Sequence, residues 1–159
     1  MITPQQNAFD LCEKIQRVIG LECDDFSGEI PILDIFSSQL VRVLTVLNSN
    51  RILFFKRLVD IVVVDRPDYE KRFEINYIIA STLFDTKLNV RINIDAEERI
   101  NNIYYIYPPA YYRECEMAEL FGIEFFNNKK IKQIVTQGRA ADFPLRKEPQ
   151  ALGERNEEP

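Results

Sequence analysis

The stretch Phe73-Glu-Ile-Asn-Tyr-Ile-Ile79, continued after a short turn by Leu88-Asn-Val-Arg-Ile-Asn-Ile94, decides the fold class. Phe73, Ile75, Tyr77 and Ile79 alternate with more polar neighbours, and Leu88, Val90, Ile92 and Ile94 alternate with Asn89, Arg91 and Asn93. Successive side chains on a strand point to opposite faces, so a period of two turns one apolar face inward and one polar face outward. The connection between these runs is too short for a parallel crossover, which takes about a dozen residues or more. A nearly continuous apolar run at 58–64 precedes them, joined through a hairpin-length connection containing Pro67. An antiparallel sheet follows.

Working outward, Thr3-Pro4 is a helix start, because proline at the first helical position loses no hydrogen bond. Phe9, Cys12, Ile15 and Ile19, with Leu11 and Val18 beside them, recur at helical spacing until Gly20. The apolar run 30–36 has strand character, and Pro31 confines it to a sheet edge or a strand start. Ser37 or Ser38 is placed to cap a second helix, whose Leu40, Val41, Leu44 and Leu47 repeat three to four apart before the breaker Asn48-Ser49-Asn50. These patterns predict an α+β fold: a mostly antiparallel sheet, helices packed on one face, and an extended C-terminal arm. The domain is expected over 1–136, with a short helix near 129–135. Residues 137–159, rich in Gly, Pro and charge, are expected to gain order by lying on a partner.

With 159 residues and 46% hydrophobic composition, the chain is long enough for one sizeable core. Its net charge of -5 argues against a nucleic-acid footprint, which needs clustered cations. The lysines at 129, 130 and 132 read as a solvated face. No apolar run reaches the roughly 18 residues of a membrane span. The first residues show neither a secretory pattern nor an Arg-rich, acid-poor presequence. Cys12, Cys23 and Cys115 are odd in number and widely spaced, which predicts neither a disulfide framework nor a zinc ribbon and suits a reducing compartment. A four-cysteine iron-sulfur site cannot come from three cysteines, and the absence of His removes the commonest metal ligand and base. The five glycines are too scattered for a phosphate-cradling or dinucleotide loop.

The most telling motif is Tyr107-Pro-Pro-Ala-Tyr-Tyr-Arg-Glu-Cys-Glu-Met-Ala-Glu-Leu-Phe-Gly-Ile123, followed later by Phe143-Pro-Leu-Arg-Lys147. Placed on a helix, Glu114, Met117, Ala118 and Phe121 share a stripe, and Gly122 ends it. Glu114 has two readings: a first-turn carboxylate favoured by exposed backbone N–H groups, or an interface anion paired with an arginine. Glu116 and Glu119, three apart, are placed to hold a common cation. Tyr104, Tyr105, Tyr107, Tyr111 and Tyr112 serve either core packing or an interaction patch, since tyrosine joins a large apolar area to a polar tip. Paired carboxylates also serve acid–base chemistry, but the chain has no Trp to bind a sugar and no converging polar cluster.

These residues resemble the thirty-kilodalton subunit family of respiratory complex I, the proton-pumping NADH:quinone oxidoreductase. Pro108, Ala110, Tyr112, Glu114, Glu116, Glu119, Leu120, Phe121, Gly122 and Ile123 match its central motif. Lys132, Ile134 and Val135 match its following basic and apolar positions, and Pro144, Leu145, Arg146, Lys147 and Glu148 its ending. Upstream, Leu58-Val-Asp-Ile, Asp65-x-Pro67 and both strand runs are also similar, so the likeness spans about residues 58–148. Cys115 stands where the family has Arg, Asn128 where it has His or Lys, and Asp142-Phe143 where it has Gly-His.

The resemblance implies a structural and assembly subunit of the hydrophilic arm with no catalytic, cofactor-binding or metal residues of its own. FMN, iron-sulfur clusters and quinone would lie in neighbours, and the partners would be the large quinone-site subunit and nearby iron-sulfur subunits. It implies interface residues at Tyr107, Pro108, Tyr112, Glu114, Glu116, Glu119, Phe121, Gly122, Pro144, Leu145, Arg146 and Lys147. The abundance of Ile, Asn, Phe, Tyr and Lys, all with A/T-rich codons, suggests a mitochondrially encoded chain on the matrix side of the inner membrane; the alternative is the cytoplasmic side of a bacterial plasma membrane. The rival readings are the equivalent subunit of a ferredoxin-dependent quinone reductase or a membrane-bound hydrogenase, and a stand-alone enzyme using Glu116 and Glu119.

Overall fold

The computed structural model describes residues 4–23, 30–83, 85–126 and 143–147. Helix α1 (Pro4–Ile19) leads to the short strand β1 (Ile32–Asp34), a 3-10 turn (Ser37–Gln39) and helix α2 (Leu40–Ser49). Strands β2 (Arg57–Asp65), β3 (Phe73–Ser81) and β4 (Thr86–Ile94) come next, then β5 (Arg99–Ile100), helix α3 (Ala110–Phe121) and β6 (Glu124–Phe125). The expected helix at 129–135, the three lysines and most of the arm lie outside the described residues.

The main sheet has the order β1-β4-β3-β2. Strand β3 is antiparallel to both long neighbours, with Tyr77 opposite Ile61 on one side and Val90 on the other. Strand β1 starts just after Pro31 and sits at the edge, as that proline allows, but runs parallel to β4 with Leu33 opposite Val90. The parallel geometry is possible because α2, β2 and β3 all intervene in sequence, which supplies the long crossover.

The alternation works as read. Phe73, Ile75, Tyr77 and Ile79 join Leu88, Val90, Ile92 and Ile94 on the buried face, where helices α1, α2 and α3 complete the core. Helix α1 contributes Leu11 and Ile15, with Cys12 only half-buried beside them. Helix α2 buries Leu40, Val43, Leu44 and Leu47. Val43 thus takes the place assigned to Val41, and α2 starts one or two residues later than a serine cap would set. Gln39 precedes α2, and its side chain accepts the Phe36 N–H to cap the 3-10 turn, while the Ser37 hydroxyl donates to Glu98. At the far end Asn50 accepts the N–H groups of Ile52 and Leu53 at 2.8 and 3.1 Å, which explains the stop.

The opposite sheet face is held by a polar ladder. Arg66 pairs with Glu74, Asn76 donates to Glu74, Asn89 donates to Asn76, and Arg91 pairs with Asp34. Alternation predicted polar residues here, but not that Glu74 and Asn76 would be buried by one another and their neighbours.

Tyr77 ends in a buried hydroxyl with no hydrogen-bond partner among the described residues, and burial holds that hydroxyl above its ordinary pKa. A buried hydroxyl without a partner costs about 1–3 kcal/mol of desolvation. Tyr77→Phe is therefore expected to raise unfolding free energy by about 1 kcal/mol in denaturant titrations. Destabilisation would show that the hydroxyl is satisfied.

Candidate functional site

The Pro108-Pro109 pair starts α3 earlier than the charge pattern suggested. Ile106 and Tyr107 donate to the Ile103 carbonyl and Ala110 to that of Tyr107, so a tight turn feeds the helix at Ala110. Proline at the start is pre-set for helical φ. Glu114 consequently falls beyond the first turn. Its side chain points inward and receives the Ile103 N–H at 2.5 Å, the Asn102 amide at 3.4 Å and the Tyr104 N–H. Neither reading made from the sequence describes it: the carboxylate, only 2% exposed, fastens the 102–104 loop to the helix. Burial pushes its pKa up to about 7, against these hydrogen bonds, which lower it.

Tyr107 is also internal, donating its hydroxyl to the Phe55 carbonyl at 2.8 Å. Both residues were expected at a subunit interface. The structure places them inside the chain, where they shape the surface without forming it.

That surface is aromatic. Tyr104 meets Tyr105 and Tyr111 edge-to-face at 6.0 Å, and Tyr111 meets Tyr112 at 5.5 Å. Tyr105 is 59% exposed and Tyr112 63%, with Pro108 and Pro109 exposed beside them. Cys115 is fully buried and shares a hydrogen bond with Tyr111. Glu116 takes its cation from its own helix: Arg113 donates to it at 2.8 Å and also pairs with Asp60 of β2 at 3.0 Å. Glu119 is half-buried one turn on.

At its other end α3 closes on Gly122, whose φ of 68° is left-handed, with N–H bonds back to Ala118 and Met117. Residues 143–147 lie against this terminus. Leu145 donates to the Leu120 carbonyl at 3.1 Å, and Arg146 donates through Nε to Phe121 and through Nη2 to Gly122. The guanidinium lies 4.6 Å from the Phe143 ring centre and 5.5 Å from that of Phe73. Phe143 approaches Gly122 so closely that a Cβ there would sit 2.6 Å from its ring. Lys147 donates its N–H to Asp65 at 2.7 Å, and Arg72 donates to the Lys147 carbonyl at 2.7 Å.

The Pro-Leu-Arg-Lys segment was expected to dock on a partner. Within the chain it caps helix α3, because the carbonyls that end α3 need donors and Arg146 supplies a planar fork of them. Pro144, Leu145 and Lys147 remain exposed along its outer side. Arg146→Ala is expected to cost about 1–2 kcal/mol and to speed backbone hydrogen exchange across 143–147. Arg146→Lys should not restore protection, since an ammonium cannot satisfy both carbonyls in the same fork.

Among the described residues, no three His, Cys, Asp or Glu side chains gather where a metal could be held, and no helix is long and apolar enough to cross a membrane.

The family model for the respiratory-chain NADH dehydrogenase 30 Kd subunit matches residues 33–155. The chain belongs to that family. Among its 30 Kd relatives, the corresponding NADH-quinone oxidoreductase subunit of Ruegeria pomeroyi is 31% identical over 128 residues, covering 80% of this chain and 64% of that one. NADH dehydrogenase (ubiquinone) iron-sulfur protein 3 of Arabidopsis thaliana is 33% identical over 91 residues, or 57% and 48%. The chain thus spans about half to two thirds of the length of these relatives. A chain from the archaeal membrane-bound sulfane sulfur reductase, a respiratory membrane complex, shares the fold: TM-score 0.73 at 19% identity, over 87% of this chain and 82% of that one. The family match extends through both motifs, from the tyrosine face to residues 143–147.

Proposed function

We propose that this chain is a structural and assembly subunit of the hydrophilic arm of a proton-pumping NADH:ubiquinone oxidoreductase, docking by its tyrosine face on the quinone-site subunit and near the iron-sulfur subunits. The observation that carries the docking reading is the connected run of edge-to-face rings from Tyr105 to Tyr112, exposed on a rigid helix start. An isolated chain gains little by leaving such apolar area in water, whereas aromatic anchors of this kind dominate binding at protein interfaces. FMN, clusters and quinone are assigned to neighbouring chains, and this one supplies shape. The membrane would be a mitochondrial inner membrane, seen from the matrix, or a bacterial plasma membrane, seen from the cytoplasm; relatives of both kinds exist.

The test is purification of a tagged chain from native membranes, with mass spectrometry of what accompanies it. An NADH-oxidising flavoprotein and a quinone-site subunit are expected. Recovery as a monomer would overturn the proposal, and a complex lacking the flavoprotein would favour the ferredoxin-dependent or hydrogenase-type machine. Tyr105→Ala with Tyr112→Ala should leave the fold intact and weaken incorporation by about 30-fold or more, the effect of losing one hot spot of about 2 kcal/mol. Unchanged incorporation would remove the tyrosine face from the interface.

A further inference from the structure

Cys12 and Cys23 are far from any recognised cysteine motif in sequence, yet the fold brings them together. Helix α1 carries Cys12 next to buried Leu11, and the chain reverses at Gly20, whose φ of 78° permits the left-handed turn. Beyond it Leu21 and Cys23 pack against the core, and Gln16 donates to Glu22 at 2.9 Å across the same turn. The two thiols share a hydrogen bond, both are half-buried, and neither is in a disulfide.

We propose that Cys12 and Cys23 form a reversible dithiol–disulfide pair, a modification site oxidised by exchange with a low-molecular-weight disulfide of the glutathione class. Contact alone does not make a disulfide, since the bond needs sulfurs about 2 Å apart and Cβ atoms suitably aimed. Here the thiols already share a hydrogen bond, and Cys23 lies just past the Gly20 turn, packed against the core. The hydrogen bond from Cys23 lowers the pKa of Cys12, outweighing the burial that raises it, so Cys12 is the better attacking thiolate.

The exchange balances in two steps. The Cys12 thiolate attacks one sulfur of glutathione disulfide, forming a mixed disulfide and releasing one glutathione thiolate. Cys23, deprotonated to solvent, then attacks the Cys12 sulfur, forming the internal bond and releasing the second glutathione. Two protein thiols are oxidised and two glutathiones are formed. Cys115, fully buried, takes no part and serves as an internal control.

The full chain, incubated with glutathione disulfide, alkylated and digested without reduction, gives the answer by peptide mass. Loss of two hydrogens is expected, with Cys12 and Cys23 joined and Cys115 recovered as a thiol after denaturation; dithiothreitol should return all three. Cys23→Ser should stop at a Cys12–glutathione adduct, which also shows that the variant's Cys12 is accessible. Three alkylatable thiols after oxidation, stable glutathione on both Cys12 and Cys23, or a bridge to Cys115 would each overturn the proposal.

Discussion

Asp65→Ala is expected to lower the free energy of unfolding by about 3 kcal/mol, the lower end of what breaking a buried ion pair costs. Asp65, 3% exposed, ends β2 and accepts Nε and Nη2 of Arg72 at 2.7 and 2.9 Å. It also accepts the Lys147 N–H, so one carboxylate ties the hairpin to segment 143–147. Removing it leaves the Arg72 side chain, only 19% exposed, without its counter-ion, although the Lys147 carbonyl and some water still reach it. Burial works to raise the Asp65 pKa, but the Arg72 hydrogen bonds and charge, the Lys147 N–H and the Arg146 charge outweigh it and hold it below its ordinary value. The sign follows. A depressed carboxyl contributes stability that is complete above its unfolded value and fades as pH falls through the folded one. Denaturant titrations at neutral pH should therefore separate wild type from Asp65→Ala, and the gap should narrow in acid. A neutral-pH difference within about 0.5 kcal/mol would put Asp65 among ordinary surface positions. Asp65→Asn, which keeps the shape and one carbonyl oxygen, should fall between the two.

The sheet was legible because alternation is a strong local signal: along β3 and β4 it says which side chains, Phe73, Ile75 and Tyr77 among them, face the core. The edge position of β1 was legible through Pro31, but its parallel direction was not, since direction depends on where a crossover delivers the chain. Of the site, the break at Gly122 and the helix before it could be read from spacing. The inward turn of Glu114 could not, because its partners are backbone N–H groups of a loop that sequence leaves featureless. The same holds for Arg146, whose acceptors are carbonyls, and for the Cys12–Cys23 contact, which exists only because α1 reverses onto the core. Tertiary hydrogen bonds to backbone leave no residue-type pattern to recognise. Tyr105 and Tyr112 stand at the opposite extreme: as a cluster beside two prolines they were visible at once, and only their exposure needed the structure to decide between core and surface.

Glu114 links the interior to that surface, and its titration gives the second large effect. Burial is the leading influence and raises its pKa from 4.5 to about 7, so the folded chain binds this proton more tightly than the unfolded chain does. Stability from the protonated form is complete below the unfolded value and is lost as pH rises through the folded one. The shift corresponds to about 3 kcal/mol, at about 1.4 kcal/mol for each pKa unit. Thermal melts of the wild-type chain should show stability falling between about pH 4.5 and pH 7 and levelling above, superimposed on other titrations. Glu114→Gln should remove this component of the slope, because its amide does not titrate and Asn102 can turn its own amide to present an acceptor. Glu114→Ala should behave differently, losing about 3 kcal/mol in neutral solution as the Ile103, Tyr104 and Asn102 donors are left in a buried space without a carboxylate. Since residues 102–104 carry the base of the tyrosine face, Glu114→Ala should also weaken incorporation into the complex, although the carboxylate never meets a partner. Parallel pH profiles for wild type and Glu114→Gln, with incorporation unaffected in Glu114→Ala, would show that the aromatic surface stands without this internal fastening.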